Sequence, residues 1–214
     1  MQGFVILHQI YIMRTEVAKA IFNSHSYPEY RKMVTDLLID GKSSGIQQSE
    51  ELTGYSSMNV TRMNRLDKTI KISIENISIL QNLNSEYIWL IISEGWCGDA
   101  AQLLPIFNKM ASHSNKKIEV KIVFRDENEE LMNLFLTNKT KSIPKLIIID
   151  KQTGNICNDF GPRPKGAASL INNFKRENGV IKDEARAELQ LWYLHDKGQS
   201  TQNEVIEIME AIDK

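Results

Sequence analysis

Between residues 88 and 111 a continuous apolar run, Ile88-Trp89-Leu90-Ile91-Ile92, is followed by Trp96-Cys97-Gly98-Asp99-Ala100. Beyond these, Leu103, Leu104, Phe107, Met110 and Ala111 recur at helical spacing. The pattern predicts a strand at 86–93 leading into a helix over about 97–113, with Cys97 in the first turn. Unpaired backbone N–H groups and the helix dipole favour an anion there, which stabilises a thiolate over a thiol. Asp99 places a carboxylate in the same turn and opposes ionisation if it points inward. The expectation is a Cys97 pKa below that of a free cysteine, though not extremely so.

The rest of the chain arranges itself around this junction. Thr15–Asn23 and Pro28–Ile39 read as short helices, the second with Pro28 in its first turn and Tyr30, Met33, Val34, Leu37 and Leu38 on one face. Gly41 to Gly45 is a loop. Met58–Lys68 is a helix with a basic side (Arg62, Arg65, Lys68) expected to face solvent or contact nearby acids, Thr69–Ser73 alternates like a strand, and Ile74 to Leu83 is helical again. A strand at 118–124, a helix at about 127–138, and strands at 145–149 and 155–160 joined through Gln152-Thr153-Gly154 follow. That last pair reads as an antiparallel hairpin. Two or three helices close the chain, with Gly198 ending one and Thr201-Gln202-Asn203-Glu204 reading as the capping box of the next.

This order, strand, thiol-bearing helix, strand, helix, hairpin, helix, resembles the thioredoxin fold. Trp96-Cys97-Gly98 resembles the start of the thioredoxin redox motif, and Pro105 stands where that family carries a helix proline. Ile143-Pro144 stands at its cis-proline, and Gly161 where a glycine approaches the proline loop. Met58 to Lys68, Glu94 to Ala100 and Phe160-Gly161-Pro162-Arg163-Pro164 are similar to a bacterial thioredoxin-like subgroup with an N-terminal helical extension. The resemblance implies an α/β fold, a mixed central sheet flanked by helices, with extra N- and C-terminal helices. The domain reading is a leader at 1–14, disordered or loosely docked, and a helical extension at 15–69. A thioredoxin-like domain follows at 70–178, and helices at 179–214 pack on it.

Two positions depart from the family pattern. Ala100 replaces the second, resolving cysteine, and Ile91 stands where thioredoxins bury an aspartate. What remains is a monothiol WCGDA motif: Cys97 as nucleophile, flanked by Trp96, Gly98, Asp99 and Ala100. Ile143 and Pro144 are expected to meet an extended peptide or glutathione by strand addition. Arg163, held between two prolines, is a candidate carboxylate ligand or, equally, a surface or structural arginine. Cys157, the only other thiol, is expected opposite about Ile148, too far from Cys97 to bond and structural in role.

Composition narrows the function classes. The chain has 214 residues, 25% of them charged and with a formal net charge of −1, so no overall pull toward nucleic acid or membrane is expected. Met1–Met13 is apolar but too short to span a bilayer and lacks signal-peptide features; a start at Met13 is an alternative reading. Two cysteines make no disulfide framework and fit a reducing, cytoplasmic setting. The four histidines are scattered without ligand spacing, so neither a metal nor a cofactor is expected. The cluster Leu189, Leu191, Trp192, Tyr193 and Leu194 reads as packing between the last helices. The expected activity is thiol–disulfide exchange through Cys97 on mixed or protein disulfides, with a protein or low-molecular-weight thiol as partner. The rival is a redox-inert binding module on the same scaffold, and a peroxidase is a weaker third.

Overall fold

The computed structural model describes residues 2–180 and 182–214. Its centre is β1 (Tyr87–Ser93), the apolar run of the sequence, buried almost throughout because it is covered on both faces. β2 (Ile118–Phe124) lies parallel to it on one side, while β3 (Lys145–Asp150) lies antiparallel on the other and pairs with β4 (Ile156–Phe160). The sheet order is β2-β1-β3-β4. Parallel neighbours need a crossover, and the helix α5 (Gly98–Ser112) supplies it. Phe107 of α5 meets Trp89 and Phe160 edge-on, both at 6.1 Å between ring centroids, joining helix, central strand and hairpin in one core.

The remaining helices wrap this unit: α1 (Gln2–Phe22), α2 (Tyr27–Ile39), α3 (Glu50–Thr69), α4 (Ile74–Gln81), α6 (Glu129–Leu134), α7 (Lys165–Asn178), α8 (Asp183–Asp196) and α9 (Gln199–Ile212). α3 packs on both α2 and α5, and α9 packs on α4 and α5. His25, between α1 and α2, exchanges two backbone hydrogen bonds of 2.8 Å with Ile122, covering the free edge of β2. Among the described residues no helix is long and apolar enough to cross a membrane.

Several sequence expectations change in detail. The helix expected at 15–23 runs back to Gln2, so residues 2–14 continue α1; Met1 lies outside the described residues. Thr69–Ser73 is not a strand: Ile70 and Ile72 are buried, but Ile70 caps α3, Ser73 caps α4, and the short span between finds no partner strand. The helix expected at 127–138 shrinks to Glu129–Leu134, because Asn138 and Lys139 take left-handed φ values of 50° and 63° in a turn closed by Thr137 and Thr140. The capping box at 201–204 does not form. Gly198, at φ 78°, lets α9 begin at Gln199, so Thr201 is buried inside the helix and Glu204 instead accepts from the Lys165 N–H at 2.8 Å. In the hairpin Ile148 pairs with Asn158 and Ile149 with Ile156, leaving Cys157 as the extra residue of a bulge rather than opposite Ile148.

Gly161 follows β4 at φ 117°, and a Cβ there would stand 2.3 Å from the Pro144 carbonyl oxygen. Backbone conformation and close approach both require glycine. Gly161→Ala is expected to destabilise the fold by about 2 kcal/mol or more, measured as a lowered urea midpoint; an unchanged midpoint would refute the packing described.

Candidate functional site around Cys97

The loop from β1 to α5 is held from outside the sheet by the N-terminal extension. Glu94 is fully buried; its carboxylate accepts from the Ser44 hydroxyl and, at 3.0 Å, from the Asp126 N–H. Burial raises its pKa, and those two donors pull it back. The Ser44 hydroxyl oxygen also accepts from the Gly95 N–H at 2.7 Å, and Asn59 of α3 donates to the Gly95 carbonyl at 2.9 Å. The Tyr30 hydroxyl of α2 shares a 3.1 Å hydrogen bond with Ser93. No redox motif contains these three extension residues. Tyr30 is legible as part of an apolar helix face, and Asn59 falls within Met58–Lys68 on the same helical stripe as the buried Met63 and Leu66, whereas nothing near Ser44 marks it.

Cys97 is the N-cap of α5, with its sulfur accepting from the Ala100 N–H at 3.4 Å. The thiol in turn donates to the Ile143 carbonyl at 3.3 Å. The Ile143–Pro144 peptide bond is cis, as is Gly161–Pro162. Cys97 and Ile143 thus meet across the site, both only 7% exposed. The charge state is the reverse of the expectation. Burial, and then the Asp99 carboxylate, push the Cys97 thiol up to about 12, against the weaker opposing pull of the Ala100 and Asp99 N–H groups and Arg163. Helix-terminal stabilisation is present, but desolvation outweighs it.

Asp99 points inward, buried beside the thiol. It pairs with Arg163 at 2.5 Å and accepts from the Tyr193 hydroxyl at 2.8 Å. Burial raises the Asp99 carboxyl while these two partners lower it. The carboxylate beside Arg163 is therefore the chain's own Asp99. Tyr193, expected only to pack, is a polar neighbour of the site; of its sequence neighbours, Leu189 is also buried, whereas Leu191 and Leu194 are largely exposed. Trp96 is half-buried, and the Arg125 guanidinium stacks on its ring at 4.8 Å. Cys157 lies on the far hairpin strand, half-buried, and both cysteines are free.

A cleft of about 610 Å³ opens over Cys97. One wall is α3, with Glu51, Tyr55 and Arg62; the other is α8, with Arg186 and Gln190. Arg62, expected on a solvated face or against nearby acids, instead lies half-buried over the start of α5, its Nη1 3.8 Å from where a Cβ on Gly98 would stand. Among the described residues no cluster of His, Cys, Asp or Glu could hold a metal ion.

A family model described as Thioredoxin matches residues 45–175. Among curated proteins none matches the chain. Two solved structures are similar. One, a protein of unknown function from Pseudomonas aeruginosa, is 16% identical, with a TM-score of 0.60 over 91% of this chain and 96% of its own. The other, an HIV epitope scaffold, is also 16% identical, with a TM-score of 0.59 over 91% of this chain and 97% of its own. At that identity they speak for the fold alone. The family match spans more than half of the chain and takes in Cys97, Ile143, Pro144 and Arg163: this chain belongs to the thioredoxin family.

Proposed function

We propose that the protein is a monothiol thiol–disulfide exchange protein of a bacterial, cytoplasmic thioredoxin-like type. Cys97 is its nucleophile, and Ile143, Pro144 and Arg163 border the substrate. The observation that carries this reading is the Cys97 sulfur itself, lining the cleft and 3.3 Å from the Ile143 carbonyl oxygen. With alanine at 100 and Cys157 remote, the mixed disulfide formed on Cys97 is released by an external thiol, from a protein or a low-molecular-weight compound.

The raised thiol sets the terms of that chemistry. With a pKa of about 12, thiolate is about one part in 10⁵ at pH 7. A more basic thiolate is the better nucleophile, with a Brønsted slope of about 0.4–0.5, which recovers a factor of roughly 20 to 30. Random encounter with a disulfide is therefore slow. Exchange depends on substrate held in the cleft, where effective concentrations of about 10⁵ M or more are attainable in well-aligned sites. The same raised thiol favours a second reading, a binding module whose cysteine stays reduced and unreactive.

Three measurements bear on these readings. In a Cys157→Ser background, alkylation of Cys97 at pH 7 is expected to be about 10²-fold slower than that of a free thiol. It should climb close to tenfold per pH unit up to at least pH 10; a plateau below pH 8 would mean that the thiol is acidic after all. Asp99→Asn removes the carboxylate that holds the proton on sulfur, so alkylation should become about tenfold faster at neutral pH. The same change costs about 1–3 kcal/mol of stability, because Arg163 loses its ion partner. Intact mass after incubation with small and peptide disulfides is expected to show one adduct, on Cys97, that added thiol removes. With no adduct from any disulfide tried, the binding-module reading stands instead.

A further inference from the structure

We propose that the cleft over Cys97 selects small disulfides bearing carboxylate or phosphate groups, with Arg62 as the anchor for the negative charge. The binding step stands on the charge and shape of the cleft; the chemical step rests on the exchange reading above.

Five basic side chains line the cleft, Arg62, Arg125, Lys141, Arg163 and Arg186, against two acidic ones, Glu51 and Asp99. Four of the five already have an acid. Arg163 holds Asp99 at 2.5 Å, Arg125 holds Asp126 at 2.8 Å, Arg186 holds Asp183 at 2.8 Å, and Lys141 holds Glu129. Arg62 is the exception among the described residues. Its hydrogen-bond partner is the neutral Asn59 side-chain oxygen at 2.8 Å, and the charge it feels is the like charge of Arg65. A half-buried guanidinium has given up part of its hydration without a counter-ion, an arrangement that an incoming anion relieves. Arg163, which also lines the cleft, keeps one donor unspent: its Nε is buried and without a partner.

Shape restricts the ligand further. The Arg186 guanidinium donates to the Tyr55 hydroxyl at 3.3 Å, so the two walls, α3 and α8, are tied to each other beside the cleft. That strut leaves a volume suited to a small molecule and hinders the approach of a disulfide embedded in a folded protein. Arg62 stands over Gly98, the residue after Cys97, and lines the same cleft as the thiol, so a ligand whose negative charge is held there occupies the space over Cys97.

The exchange step is balanced without a further oxidant or reductant. The Cys97 sulfur attacks one sulfur of the bound disulfide, a new S–S bond forms to Cys97, and the original S–S bond breaks. The departing sulfur takes the electron pair of that bond and the proton that Cys97 gives up. The disulfide is the oxidant; its other half leaves as a free thiol.

Binding and reaction are separable in the full-length chain. Cys97→Ser, which cannot react, is titrated by calorimetry with oxidised glutathione (carboxylates only), coenzyme A disulfide (phosphates) and cystamine (a cationic disulfide). At least tenfold tighter binding of one or both anionic disulfides than of cystamine is expected, and the tighter of the two identifies the group recognised. Adding Arg62→Gln should weaken that binding about tenfold, and Arg62→Lys should recover much of it, with circular dichroism confirming that each variant is folded. Equal affinity for cystamine, or indifference to Arg62→Gln in a folded protein, overturns the proposal even if wild-type Cys97 forms adducts. Selective binding without any adduct on wild type leaves the anion site standing and removes the exchange reading.

Discussion

The site depends on a buried carboxylate. Glu94 sits at the end of β1 with no solvent access, and it is tolerated there because the Ser44 hydroxyl and the Asp126 N–H both donate to it. Removing such a partner would strand a charge in a dry interior, at a cost of several kcal/mol. Ser44 belongs to the N-terminal extension and Asp126 to the loop after β2, so this one group joins three otherwise separate segments. The loop carrying Trp96 and Cys97 is thereby fixed before any ligand arrives, and Asn59 and Tyr30 reinforce the hold. The extension is thus part of the machinery that positions the thiol.

A second arrangement sets what that thiol is. A cysteine capping a helix usually gains acidity from the N–H groups around it, and those groups are present here. They act on a sulfur almost fully removed from water, with Asp99 beside it. Arg163 and Tyr193 keep that carboxylate in place instead of releasing it to solvent. The result is a thiol that stays protonated at neutral pH, a state that protects it from casual oxidation.

The architecture was readable because its signals are local. The unbroken run Ile88–Ile92 leaves no choice but a buried strand, and the apolar spacing after Cys97 demands a helix; together they put the thiol at a parallel crossover. The Gly154 turn made the hairpin equally plain. What escaped was set by distant contacts. Asp99 is held inward by Arg163 and Tyr193, and nothing near residue 99 in the sequence announces it. Desolvation of Cys97 likewise comes from the surrounding fold, so helix-terminus chemistry alone gave the wrong sign for its acidity. Arg62 was closer to hand: it shares a helical stripe with Asn59 and Leu66, both buried, which argues against a fully solvated face. Local signals also misled. Ser26 and Glu29 form a true capping box at the start of α2, whereas the same pattern at Thr201–Glu204 was overridden by a glycine and a buried threonine.

The tie between Tyr55 and Arg186 joins residues 131 positions apart. The cleft is therefore closed by parts of the chain made early and parts made late. The sheet, the proline loop and the thiol all precede α8 in the chain, and α8 adds the second wall. With α8 undocked, Cys97 would keep only the α3 wall of its cleft. The shape of the site therefore depends on a helix remote in sequence from the thiol it covers.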